Sequence, residues 1–232
     1  MRKPEMMEYD NATIGTGTII EPDVRVGFRY HPQCGPTTIG ANSILRSGTI
    51  VYGDVELGNY FQSGHYTVIR AKVRTGDYCT VCNQSTLEGI IRMGTGVRIM
   101  SHCYIPSRTW FGNHVFLGPG VTILNSRYPG RLPDIPTPRG PTIEDEVMIG
   151  GGVTIMAGVT IGARSFVAAG SVITKDIPPC SFVKGCPGRI EPLSAKLDVE
   201  MDRTLTIQSR DLWHPDHDWS QVDWPDDWQE SR

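Results

Sequence analysis

Several classes of protein are excluded by what this 232-residue sequence lacks. No apolar run approaches the roughly 20 residues that a membrane helix needs. The opening Met1–Glu8 has no apolar stretch and does not read as a secretory signal. There is no excess of positive charge. Lys and Arg total 22 against 25 Asp and Glu, a net charge of −3, so nothing points to a nucleic-acid surface. Cysteine is sparse and scattered. Cys79 and Cys82 form one C-x-x-C, but no second pair follows at zinc spacing, so the six cysteines read as reduced thiols of a cytoplasmic protein. Gly (26) and Pro (17), in contrast, are plentiful and mark many turns.

Those turns recur with a fixed period. In steps of six from Ile39 to Ile123, thirteen of fifteen positions are apolar, the exceptions being Ser63 and Thr75. Four residues on from each stands a second series, from Ser43 and Thr49 to Val115 and Val121, nearly all small or β-branched. Glycine follows the apolar residue at 40, 58, 76, 94 and 112, an 18-residue beat laid over the six. The register resumes from Ile143 to Ile173, and an earlier fragment (14–27) precedes a short insertion near 30–37.

A six-residue unit allows a strand of about four residues and a corner of about two. Three units then make one coil, and each coil bonds to its neighbours about 4.8 Å away. One coil alone buries almost nothing, so stability must come from stacking. An α-helical reading fails because the period is six and not 3.6. The sequence therefore predicts an all-β parallel β-helix over 11–191 with a loop at 125–142. A C-terminal segment follows at 192–232. Within it Leu193, Leu197, Met201 and Leu205 have helical spacing, and an acidic tail carries Trp213, Trp219, Trp224 and Trp228.

The run Asn113–Asn125 (NHVFLGPGVTILN), the stretch Ala168–Pro179 and the ending Val183–Ile190 (VKGCPGRI) resemble the hexapeptide-repeat acyltransferases. That resemblance implies left-handed winding, a trimer with active sites between prisms, and acetyl-CoA as co-substrate with no metal. Within the family, Asn125-Ser126 after the G-P-G-V strand is similar to the amino-sugar-nucleotide N-acetyltransferases, with serine where aspartate is common. The implied reaction is N-acetylation of an amino sugar on a nucleotide-linked sugar, by a cytoplasmic homotrimer that binds neither nucleic acid nor membrane. O-acetylation of a small molecule or sugar is the alternative.

Acyl transfer from a thioester needs a base near the acceptor and a donor for the oxyanion. Residues 18 apart stack, so His65, Asn83 and Ser101 form one column with His102 beside it, while Arg70 stacks on Glu88 and Ser107 on Asn125. His65, Asn83, Glu88, His102 and Asn125 are expected to gather around one edge, where the loop departs. His102 or His65 would be the general base, oriented by Glu88, and Asn125 would position the acceptor, with Asn83, Arg127 and Tyr128 as further substrate contacts. Coenzyme A, by the resemblance, would lie along Ala169, Gly170 and Ser171, its phosphates against Lys175 and Arg189.

Two other readings stay open. The γ-class carbonic anhydrases hold zinc with three histidines, but the third position here is Ser107. A non-catalytic β-helix scaffold would need none of these groups.

Overall fold

The computed structural model describes residues 11–130 and 139–199. The chain divides into Met1–Val199 and Glu200–Arg232, and the second unit lies outside the described residues. The first unit is a three-sided parallel β-helix. Face A stacks eight strands from Ala12–Ile14 to Thr160–Ile161, and face C stacks eight from Arg25–Phe28 to Val172–Ile173. Face B stacks ten, from Ile19–Ile20 to the terminal pair Ser181–Lys184 and Arg189–Pro192. All ladders are parallel except that last hairpin, where Lys184 faces Arg189.

Registers follow the 18-residue beat: Thr80 pairs with Gln62 and Arg98, and Thr86 with Val68 and Tyr104. Two insertions interrupt it. Ala12 pairs with Thr37, seven residues late, and Trp110 pairs with Thr142, fourteen late. Both excursions leave the corner between faces C and A, so the prism continues in phase on either side.

The hexad positions form a single core of Leu, Ile, Val and Phe side chains at or near zero exposure. The polar exceptions are satisfied. Ser63 lies buried with its Oγ 2.8 Å from Thr49 Oγ1 and accepts the Arg46 N–H, and Thr75 Oγ1 accepts the Gly58 N–H. Several inward Ser and Thr of the second series bend back to the corner carbonyl three residues earlier, as in Ser43 to Gly40, Thr67 to Gly64 and Ser171 to Ala168, while Thr49 and Ser85 reach the next coil, at Gly64 and Met100. A small hydroxyl thus fits the narrow interior and finds a backbone partner there. Many corners place their third residue at positive φ, including Tyr66, Gln84 and His102. Within 192–232, Leu193–Val199 runs as turns, and the remainder lies outside the described residues, as do 131–138 of the loop. Among the described residues no helix is long and apolar enough to cross a membrane.

Candidate functional site

The stacking rule places the expected site residues on two edges. His65, Asn83 and His102 stand at the corner between faces B and C. Glu88 and Asn125 stand at the corner between faces C and A, with the width of face C between the two groups. Within one chain the five do not meet on one edge. The cause is the count along face C: Glu88 opens the corner after that face, whereas His65, Asn83 and His102 belong to the corner before it.

At the first edge, His102 sits at φ 61 with an exposed side chain. The Asn83 side-chain oxygen accepts the His65 backbone N–H at 2.7 Å, so Asn83 builds the corner that presents His65. The carboxylate facing His65 is not Glu88 but Glu21, whose Oε2 lies 4.0 Å from His65 Nδ1. Glu21 is held by Arg46 at 2.8 Å and by the Ser47 N–H at 2.9 Å. Burial alone would raise its pKa, but the Ser47 N–H and the Arg46 guanidinium outweigh that and hold it below the ordinary carboxylate value. Sequence reasoning missed Glu21 because the column must be carried back through the seven-residue insertion. Glu21 stands 25 residues before Arg46, not 18.

At the second edge, Glu88 is ion-paired with Arg70, and that pair raises the Arg70 pKa further. Among the described residues Glu88 therefore orients no histidine. Asn125 Nδ2 donates to Ser107 Oγ at 3.1 Å, and its carbonyl accepts the Arg139 N–H as the loop returns. Arg127 donates to the carbonyls of Ala157 and Thr174 at 3.1 and 3.0 Å, pinning the start of the loop onto the C-terminal coils. Tyr128, 56% exposed, is left facing outward.

The groups expected to hold coenzyme A lie on the last coils. Gly170 turns the corner at φ 70 with nothing within 4 Å of where a Cβ would stand. Ser171 Oγ accepts the Gly185 N–H at 3.1 Å and so fastens the terminal hairpin over the coil. Lys175 and Arg189 share the lining of an open groove of about 670 Å³, which also takes in Thr174, Lys184 and Cys186. Lys184 is neutralised by Glu191 at 3.0 Å. Among the described residues Lys175 and Arg189 form no ion pair and remain available to an anion. No group of His, Cys, Asp and Glu among the described residues could hold a metal ion. Cys79, of the C-x-x-C, is buried, and that burial pushes its thiol up to about 12.

Three faces of short parallel strands, wound at 18 residues per coil, define a hexapeptide-repeat protein, and residues 140–175 match the family described as bacterial transferase hexapeptide (six repeats). A solved UDP-N-acetylglucosamine acyltransferase from Campylobacter jejuni matches with a TM-score of 0.66 at 19% identity, over 92% of this chain and 82% of that one. That likeness sets the fold as a left-handed parallel β-helix, as the sequence resemblance implied. More particularly, the chain's relatives are hexapeptide-repeat acyltransferases. It is 31% identical to the bifunctional protein GlmU of Bartonella bacilliformis over 89% of this chain, and 37% identical to the galactoside O-acetyltransferase of Lactococcus lactis over 42%. The chain spans 41% of the first relative's length and 50% of the second's.

Proposed function

We propose that this protein transfers an acetyl group from acetyl-CoA to the amine of an amino sugar carried on a nucleotide, acting as a cytoplasmic homotrimer with no resident metal. The observation that carries the reading is the groove at the C-terminal coils. It is open and bears Lys175 and Arg189, two cations with no ion-pair partner among the described residues. Such a groove suits a long flexible thioester with phosphates at one end. Likeness over most of the chain to a sugar-nucleotide acyltransferase supports the acceptor class.

The amine nitrogen attacks the thioester carbonyl, and the carbonyl electrons move to oxygen. As they return, the carbon–sulfur bond breaks and the thiolate leaves. The nitrogen must lose one proton, and His102 or His65 takes it, His65 with the Glu21 carboxylate 4.0 Å from its Nδ1. The two-edge arrangement gives the trimer a purpose. The B/C edge of one prism, set against the C/A edge of the next, would bring histidine and Asn125 to one site. Asn125 then holds the acceptor, and Glu88 and Tyr128 line its approach.

The second reading is O-acetylation, favoured by the likeness to the galactoside enzyme. Mass spectrometry of products from acetyl-CoA with amino-sugar nucleotides and with neutral galactosides separates the two. An alkali-stable amide on the amino sugar supports the first. An alkali-labile ester formed only on hydroxyl acceptors overturns it.

A further inference from the structure

A second groove, remote from Lys175 and Arg189, runs along the outer surface of face A beside the first insertion. Its volume is again about 670 Å³, within the range of small-ligand sites. Its floor is one vertical ladder in which Glu56 pairs with Arg74, Arg74 with Arg92 and Arg92 with Trp110. Its rim is the C/A corner, where Lys72 and Ile90 stand, and its far wall is Gly35-Pro36 of the insertion.

The charges in this groove do not cancel. Both carboxylates are already engaged. Asp54 accepts from the Tyr30 hydroxyl at 2.7 Å and the Gly35 N–H at 2.8 Å, and Glu56 pairs with Arg74 at 2.9 Å. Lys72 and Arg92 are exposed, and among the described residues neither has a carboxylate partner. The Arg92 guanidinium lies 5.3 Å from the centroid of the Trp110 ring, which is 52% exposed, so one face of the indole is covered and polarised while the ring stays accessible.

The apolar part is built at a cost. Ile90 lies at φ 52, directly after Gly89 at φ 93, and its side chain is 45% exposed. A β-branched residue in the left-handed region is a genuine outlier, disfavoured by about 1–2 kcal/mol. The corner itself sets this conformation, since Asp54, Lys72 and Arg108 adopt it at the equivalent position of neighbouring coils, and here it turns an aliphatic side chain outward at the groove.

An accessible indole, an exposed aliphatic side chain and two unpaired cations within one groove make a complete set for one ligand chemistry. We infer that the face-A groove binds a nucleoside phosphate, with the base against Trp110 and Ile90 and the phosphates between Lys72 and Arg92. This is a binding site and needs no transfer chemistry, so it stands apart from the acetyl-transfer reading.

The test is calorimetric titration of the full chain with uridine 5′-diphosphate, with no acyl-CoA present. Saturable binding is expected. Trp110→Ala should weaken it about tenfold, the size expected for loss of one base–aromatic stack. Lys72→Gln combined with Arg92→Gln should weaken it further and flatten its salt dependence, while Lys196→Gln, at an exposed cation lining neither groove, leaves it unchanged. If Trp110→Ala proves unfolded by circular dichroism, the Lys72/Arg92 pair alone decides. No saturable binding, or a number of nucleotides bound per chain that the Lys72/Arg92 change leaves unaltered, overturns the inference. So does a change of oligomeric state in Trp110→Ala without nucleotide binding, which would mark the groove as an interface between copies.

Discussion

His102 and His65 compete for one role, and their surroundings differ. His65 has a carboxylate 4.0 Å away, fixed by Arg46 and Ser47, whereas no side-chain partner of His102 is present among the described residues. If His65 is the base, Glu21→Gln should lower kcat without changing the KM for acetyl-CoA, because it removes the carboxylate that lies 4.0 Å from the imidazole. If His102 is the base, Glu21→Gln leaves kcat near the parent value and His102→Ala costs about 10²–10⁴-fold in kcat. Glu21 also bears on stability. Its folded pKa lies below the unfolded value, so its contribution is present at neutral pH and is lost as pH falls through the lowered pKa. Acid titration of Glu21→Gln, followed by circular dichroism, should show a shallower loss of stability in that range than the parent.

The cysteines make a separate prediction at this scale. Burial raises Cys79 to about 12 and Cys103 to about 11, while Cys180 and Cys186 are exposed. Because the thiolate is the reactive form, iodoacetamide at neutral pH should label Cys180 and Cys186 on the native protein and Cys79 only after unfolding. Rapid native labelling of Cys79, read by peptide mass spectrometry, would contradict the packing described above.

At the scale of the element, the corner decides what a coil tolerates. A Cβ added to Gly58 would lie 2.4 Å from the Gly76 carbonyl oxygen, a backbone atom that cannot swing aside. Gly58→Ala should therefore cost about 1–3 kcal/mol, as overpacking does, seen as a fall of several degrees in Tm. Gly152 has nothing within 4 Å and is constrained only by φ 65. Asparagine adopts that conformation readily, so Gly152→Asn should stay within about 1 kcal/mol of the parent. An equal effect of the two changes would mean that coil spacing does not set the glycine pattern. The same periodicity shows what was legible in advance. Strand positions, core residues and vertical neighbours follow from counting by six and eighteen, and the pairs Arg70–Glu88 and Ser107–Asn125 are where that count puts them. Counting around the prism is less forgiving than counting along it. An error of one hexad moves a residue to another edge, and this separates Glu88 from the histidines. Glu21 was hidden by an insertion, and Arg127, expected as a substrate contact, instead donates to Ala157 and Thr174, 30 and 47 residues away, which no count by eighteen reveals.

For the whole molecule, the proposed site has its two halves on different edges, and the proposal therefore requires assembly. Sedimentation velocity should give a species of three chains, and mixing His102→Ala with Asn125→Ala protomers should restore part of the activity if the two residues meet across an interface. A monomer with full activity would contradict the inter-prism arrangement and return the site to a single edge. The two grooves, one at the C-terminal coils and one on face A, also predict independent binding. A saturating nucleotide should leave the affinity for acetyl-CoA within about twofold, since no shared residue couples them.

Acceptor-dependent release of free thiol from acetyl-CoA addresses the central proposal most directly, measured with a panel of amino-sugar nucleotides and compared with His102→Ala, His65→Ala and Asn125→Ala. The account predicts release matched one for one by acetylated amine, and reduced about 10²-fold or more in at least one of the three variants. Release no faster than spontaneous hydrolysis with every acceptor, or wild-type rates in all three variants, would contradict it.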